Sequence, residues 1–151
     1  LVNFNQPIYL IVPNLAEIES IIKALRAIGM DNVVGYGGPE VILETDSVLP
    51  TINTQQLVQR MKEMDLMVLD VRDQSEFDEL HIANATHIPL GVLPDRLAQI
   101  PHDRAVVVQC ASGYRSHIAS SLLQRFGFDN ISSLTDGKDR WSKALIVETK
   151  Q

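Results

Sequence analysis

The sequence predicts an α/β fold with a mainly parallel central sheet flanked by helices, and three observations predict it. Short apolar runs of strand length alternate with stretches of 3.6-residue apolar periodicity. One strand–helix–strand stretch occurs twice with no gap in the alignment of its copies. The most apolar runs, such as Leu66-Met67-Val68-Leu69 and Ala105 to Gln109, lack polar alternation, as strands covered on both faces do. A chain of 151 residues can bury one good core, or one core plus a fragment of another.

The repeat places residues 7–39 on residues 105–137. Ile8-Tyr9-Leu10-Ile11-Val12 falls on Val106-Val107-Val108-Gln109-Cys110, and Gly29-Met30-Asp31-Asn32-Val33 on Gly127-Phe128-Asp129-Asn130-Ile131. Leu15, Ile18, Ile21, Ile22, Leu25 and Ile28 form the apolar stripe of the first predicted helix; Ile118, Ala119, Leu122, Leu123 and Phe126 form that of the second. Gly29 and Gly127 stand where a left-handed residue closes a helix. Any two βαβ pieces share some pattern, but the gapless register and the common Gly-x-Asp-Asn favour common descent. Where the second copy has Cys110, Gly113 and Arg115, the first has Val12, Leu15 and Glu17. Residues 1–38 are therefore expected to be a degenerate half-unit that keeps a scaffold and has lost its chemistry.

A connector over residues 39–48, including the acidic Glu44-Thr45-Asp46-Ser47, separates this half-unit from a complete unit over residues 49–151. Asn53 or Thr54 is predicted to cap a helix carrying Leu57, Val58 and Met61. Leu66 to Leu69 follows as an interior strand. Asp73 and Glu76 have capping-box spacing. His87-Ile88-Pro89 reads as a short strand closed by proline, and Leu93, Leu97 and Ile100 as a helix.

Composition narrows the function. The chain is 45% hydrophobic and 21% charged, which suits a folded globular protein. No apolar run approaches the length of a membrane span. A net charge of −6 argues against a nucleic-acid or anionic-membrane surface. One cysteine excludes an internal disulfide and a multi-thiolate zinc site, and a lone thiol able to do chemistry fits a reducing cytoplasm. The amino end has no signal-peptide pattern and no initiator Met, so the chain is expected to begin inside a longer polypeptide. His81, His87, His102 and His117 have no metal-ligand spacing with Cys110 and read as surface or structural residues. No metal or organic cofactor is expected.

The informative stretch is Cys110-Ala111-Ser112-Gly113-Tyr114-Arg115-Ser116, which follows a buried strand and opens a helix. Open α/β sheets place ligands at that junction. Small residues and Gly113 let several N–H groups converge, the helix N-terminus adds partial positive charge, and Arg115 adds a full one. A thiolate, the nucleophilic form, is stabilised in such a cradle. A lone Cys is commonly just a small buried apolar residue. The glycine, the Arg five places on and the strand-to-helix junction argue for chemistry instead.

Three ordered motifs carry a resemblance. Val68-Leu69-Asp70-Val71-Arg72, Glu76-Phe77 and His81-Ile82-x-x-Ala85-x-x-Ile88-Pro89, then Cys110-x-x-Gly113-x-Arg115-Ser116, then Asp136-Gly137-x-x-x-Trp141 together resemble the rhodanese superfamily over residues 49–145. Two positions depart from it: Leu80 where the family usually has Gly before His, and Asp136 where it usually has the first of two glycines. The resemblance implies a rhodanese-like three-layer fold with Cys110 as the sulfur nucleophile and Ala111, Ser112, Gly113, Tyr114, Arg115 and Ser116 lining the substrate. By the same resemblance, Asp70 and Arg72 are either an ion pair supporting the loop or ordinary strand-end charges. Trp141 is expected in the core; Tyr114 and Ser112 either touch the acceptor or fill the loop. Cysteine phosphatases have five residues between Cys and Arg, and this chain has four, so a tighter cup suited to sulfur is expected.

The expected activity is transfer of sulfane sulfur from thiosulfate or a low-molecular-weight persulfide to a thiol, sulfite or cyanide acceptor through a Cys110 persulfide, in sulfide and persulfide detoxification. Alternatives are a non-catalytic protein-binding or redox-sensing module and a protein-to-protein sulfur carrier. The half-unit before an intact domain also resembles the carboxyl-terminal part of a fusion whose upstream domain has a metallo-β-lactamase fold and persulfide dioxygenase activity. The apolar stripe of the half-unit suggests a homodimer as one way to cover it.

Overall fold

The computed structural model describes residues 6–41 and 48–149. The chain forms two compact units, Leu1–Val48 and Leu49–Gln151. In the first, strand β1 (Ile8–Ile11), helix α1 (Ile18–Ala27) and strand β2 (Val33–Gly37) make a βαβ unit with a two-stranded parallel sheet. A 3₁₀ turn at Leu15–Glu17 precedes α1 and another at Pro39–Val41 follows β2. The stripe is shorter than its periodicity suggests. Ile18 is buried and Ile21, Ile22 and Leu25 are half-buried, whereas Leu15 and Ile28 lie outside α1 and are exposed. Strand β2 runs to Gly37, just before the stretch expected to connect the two units. The predicted acidic stretch Glu44 to Ser47 lies outside the described residues.

The second unit runs β3 (Thr51–Ile52), α2 (Thr54–Glu63), β4 (Leu66–Asp70), α3 (Gln74–Glu79), β5 (His81–Ile82), β6 (Thr86–His87), β7 (Ala105–Gln109), α4 (Tyr114–Arg125), β8 (Ile131–Leu134), α5 (Lys138–Ala144) and β9 (Val147–Glu148). The main sheet is parallel throughout in the order β3-β8-β7-β4-β6. Because strand side chains alternate between faces, this unbroken apolar register fills two cores. Met67, Leu69, Val106, Val108 and Cys110 pack with Ala119 and Leu123 of α4 and with Leu93 and Ile100. Val68, Val107, Ile52 and Leu134 pack on the opposite face with Leu57 of α2 and Trp141 of α5. The result is the expected three-layer α/β arrangement. Asn53 caps α2 through a reciprocal pair with Gln56, 2.9 and 2.8 Å.

Some expectations need correction. The helix expected around Leu93, Leu97 and Ile100 is a 3₁₀ segment, Leu90–Gln99, kinked where Arg96 takes φ −121°. Pro94 sits inside it, has no N–H to donate, and breaks the α-helical ladder. Met61 and Phe126, assigned to apolar stripes, are exposed. The antiparallel pair β5–β9 was not foreseen, since Val147-Glu148 is too short to show a period.

The two copies share backbone detail. At Ala27 and Arg125, 98 residues apart in both sequence and alignment, the helices end. Gly29 and Gly127 follow with φ of +80° and +83°. The N–H of Ile8 bonds to Asn32 O at 2.8 Å and that of Val106 to Asn130 O at 2.9 Å; Met30 N–H reaches Leu25 O at 3.0 Å and Phe128 N–H reaches Leu123 O at 3.1 Å. Ile8 pairs with Val33 as Val106 pairs with Ile131. The copies diverge at the next residue, where an irregularity moves Tyr9 to face Gly35.

Candidate active site

β7 delivers Cys110 to the carboxyl edge of the sheet with its side chain only 1% exposed. The chain then curls so that the N–H groups of Gly113 and Ser116 donate to Cys110 Sγ at 3.2 and 3.3 Å. This curl needs Gly113 at φ +91°, and a β-carbon there would lie 3.1 Å from Thr135 O. Helix α4 starts at the next residue, so its partial positive end lies at the sulfur. The loop after β8 is laid against this one. A β-carbon on Gly137 would sit 2.8 Å from Ala111 O, and the Lys138 N–H donates to the same carbonyl at 2.9 Å. Two glycines therefore set the cup, one by its dihedral and one by close approach.

The Arg115 guanidinium is engaged with carboxylates of α3 and its cap. It forks onto Glu76 at 2.6 and 2.8 Å, with Asp73 at 3.5 Å. The bond from Arg115 holds the Glu76 carboxyl below the ordinary glutamate range, against the effect of burial, with help from the Asp73 N–H. Glu76 in turn raises Arg115, burial opposes it, and the nearby Cys110 charge adds a smaller upward push. The expected full charge in the cradle is thus shared with a carboxylate. Lys138 with Glu79 and Arg140 with Asp136 are likewise paired.

Asp70 and Arg72 are both buried and joined at 2.6 Å. Arg72 also donates to Leu80 O at 2.7 Å, and its guanidinium lies 5.3 Å from the centre of the buried Trp141 ring. Leu80, where the family usually has glycine, takes an extended backbone (φ −166°) that any residue adopts. Asp136, the second departure, accepts from Thr54 N–H at 2.7 Å and so ties the β8–α5 loop to the start of α2. That N–H, chiefly, and Arg140 hold its carboxyl below the ordinary aspartate range.

Ala111 and Ser116 contribute to the cup through backbone and hydroxyl groups, while Ser112 and Tyr114, the latter 73% exposed, carry their side chains to solvent. Sequence reasoning missed Glu76 as the partner of Arg115, and Ser133 and His117 behind the cup. The Glu76 and Ser133 contacts with the loop come from the fold, 39 and 17 residues away in the chain, whereas that of His117 spans four residues at the start of α4. Ser133 Oγ lies 2.9 Å from Ser116 Oγ, and His117 Nδ1 lies 2.6 Å from Gly113 O. The other histidines pack on aromatic rings: His81 and His87 on Phe77, His102 on Phe128. Among the described residues, no three His, Cys, Asp or Glu side chains are grouped so as to hold a metal ion.

A family description, the rhodanese-like domain, matches residues 53–144, more than half of the chain. The chain belongs to the rhodanese-like family. Its rhodanese-like domain is similar to a sulfurtransferase of Allochromatium vinosum, 32% identical over 93 residues, covering 61% of this chain and 87% of that protein. It is similar also to the thiosulfate sulfurtransferase GlpE of Coxiella burnetii, 33% identical over 81 residues, 54% of this chain and 76% of the relative. Among solved structures, a rhodanese-related protein from Thermoplasma volcanium superposes with a TM-score of 0.61 at 30% identity, over 67% of this chain and 99% of that one. Membership and these relatives support sulfur transfer as the general activity. Among the described residues, no helix is long and apolar enough to cross a membrane.

Proposed function

We propose that this chain is a sulfurtransferase that carries sulfane sulfur on Cys110. The observation that carries the reading is the buried Cys110 sulfur receiving two backbone N–H groups at the mouth of α4. Core cysteines have no need of such donors, whereas a thiolate and the persulfide that replaces it do. In the first step the thiolate attacks the outer sulfur of the donor. A new S–S bond forms on Cys110, the donor's bond to that sulfur breaks, and sulfite leaves from thiosulfate or a thiolate leaves from a persulfide. In the second step a thiol, sulfite or cyanide attacks the terminal sulfur, and the Cys110 thiolate departs. The first turn of α4, with the N–H groups of Tyr114 and Arg115, supplies partial positive charge that would stabilise charge on the outer sulfur.

Among donors, the reading favours a low-molecular-weight persulfide, because Arg115 is neutralised by Glu76 and the whole chain carries −6. The same pairing disfavours a phosphatase, whose arginine must face the phosphoryl group. An upstream dioxygenase domain on the same polypeptide belongs to this proposal and rests on resemblance alone. The deciding experiment is intact-mass spectrometry after treatment with thiosulfate or a small persulfide. One sulfur atom should add to the protein, leave on reduction, and fail to add to Cys110→Ser, which should also lose transfer to cyanide. Retention of most activity by the serine variant would show the assignment to be wrong.

A further inference from the structure

Behind the cup, His117 and Ser133, which the loop motif does not contain, form a line of polar groups with Ser116 and Cys110. His117 Nδ1 lies 2.6 Å from Gly113 O. A carbonyl oxygen only accepts, so Nδ1 carries a proton. Ser133 Oγ lies 3.1 Å from that same Nδ1 and therefore cannot donate to it. Its own hydrogen goes to Ser116 Oγ at 2.9 Å. Ser116 then keeps one hydrogen, and its choices are Gly113 O at 2.8 Å, Leu134 O at 3.3 Å and Cys110 Sγ at 3.6 Å. Both serines are fully buried, so solvent does not reorient their hydroxyls.

We infer that His117 is a positioning residue for Cys110, acting through Ser133 and Ser116. When the sulfur is a neutral thiol, its S–H points to Ser116 Oγ and the Ser116 hydrogen rests on Gly113 O. When the sulfur is a thiolate, the Ser116 hydroxyl turns and donates to it, beside the N–H groups of Gly113 and Ser116. Ser133 keeps Ser116 supplied with a hydrogen bond in either position, and the protonated Nδ1 keeps Ser133 pointing that way. The imidazole also bonds the Gly113 carbonyl directly, and so holds the left-handed residue whose N–H reaches the sulfur. No bond is made or broken in this device; only a hydroxyl rotates. The charged groups nearest the cup, Arg115, Glu76 and Asp73, are engaged with one another and are left untouched by substitutions at 117 and 133.

The inference rests on Cys110 being the nucleophile, and it can be tested apart from sulfur transfer. Cys110 is the chain's one cysteine, so its alkylation by iodoacetamide reports it without ambiguity. The rate should be followed across pH for the intact chain and for His117→Leu, Ser133→Ala, the double variant and His117→Gln. Loss of one weak donor to a charged sulfur should slow alkylation at neutral pH about three- to tenfold and move the profile to higher pH. Each single variant should do so, the double should add little because the path is shared, and His117→Gln, which keeps an N–H donor, should stay near the parent. Ser133→Ala removes the link with one atom and carries the test if His117→Leu does not fold. An unchanged profile accompanied by a lower melting temperature would overturn the inference, as would glutamine behaving like leucine. If the profiles shift as expected but no sulfur loads on Cys110, it is the sulfur-transfer reading that fails.

Discussion

Glu76→Gln should convert the site toward anionic donors, because it frees Arg115 without removing it. Glutamine can still accept the Asp73 N–H that Glu76 accepts at 3.3 Å, so the start of α3 is preserved. What is lost is one negative charge on a rim where the Arg115 and Glu76 side chains are 28% and 30% exposed. A unit charge on a half-exposed rim, where solvent screens it, contributes about 1 kcal/mol to each charge of an anion bound nearby. A monoanionic persulfide should therefore gain about fivefold in kcat/KM, dianionic thiosulfate about thirtyfold, and a protonated persulfide almost nothing. The lost ion pair costs stability only about 0.5–1 kcal/mol at this exposure. The assay compares thiosulfate with a small persulfide across ionic strength, and the thiosulfate gain should shrink as salt rises. An equal change for both donors, or a fall in thiosulfate use, would show that the fork holds Arg115 in a working position and that the charge argument is mistaken.

Two further substitutions probe the support of the cup. Gly137→Ala puts a β-carbon 2.8 Å from Ala111 O, which no flexible side chain can relieve; it should cost about 1–3 kcal/mol in urea denaturation and slow sulfur loading, and parent-like behaviour in both would show the two loops to be independent. Asp136→Asn acts through pH. The Asp136 carboxyl is depressed below the ordinary aspartate range by Thr54 N–H, so its contribution is present near neutrality and is lost as pH falls through its folded value. The asparagine variant should be less stable than the parent at pH 7 and approach it in acid; a difference that persists at low pH would assign the effect to packing.

The sheet was legible because its interior strands are buried on both faces and read as nearly unbroken apolar runs, as Leu66 to Asp70 and Ala105 to Gln109 show. The cysteine loop was legible for the same reason, since it joins a recognisable strand to a recognisable helix. What failed was local conflict and distance. Pro94 turned a helical pattern into 3₁₀ turns, and β9 was too short to carry a period. Glu76 stood out as a capping residue and as part of the first motif but not as the partner of Arg115, which is 39 residues away. His117 looked like a structural histidine, and its neighbour Ser133 belongs to a strand that pairs with β7 by a crossover.

The two βαβ stretches differ in the residues that stand at the start of their helices. The residues equivalent to Gly113, Tyr114 and Ser116 are Leu15, Ala16 and Ile18. In the first copy Val12 is as buried as Cys110 but offers nothing to receive a hydrogen bond. Its helix start closes on itself instead. Asn14, with an extended backbone at φ −135°, accepts the Ala16 N–H at 3.0 Å, and the Ile18 N–H goes to Leu15 O. In the second copy the N–H equivalent to that of Ile18 goes to Cys110 Sγ, and the Tyr114 N–H is left without a capping side chain. Helix N-terminal donors must find acceptors when buried. A copy with sulfur leaves them for the sulfur and its cargo, and needs Gly113 to aim them. A copy without sulfur satisfies them locally, and leucine then suffices where glycine was required. Val12→Cys would therefore not make a cup, because the donors it needs are already engaged.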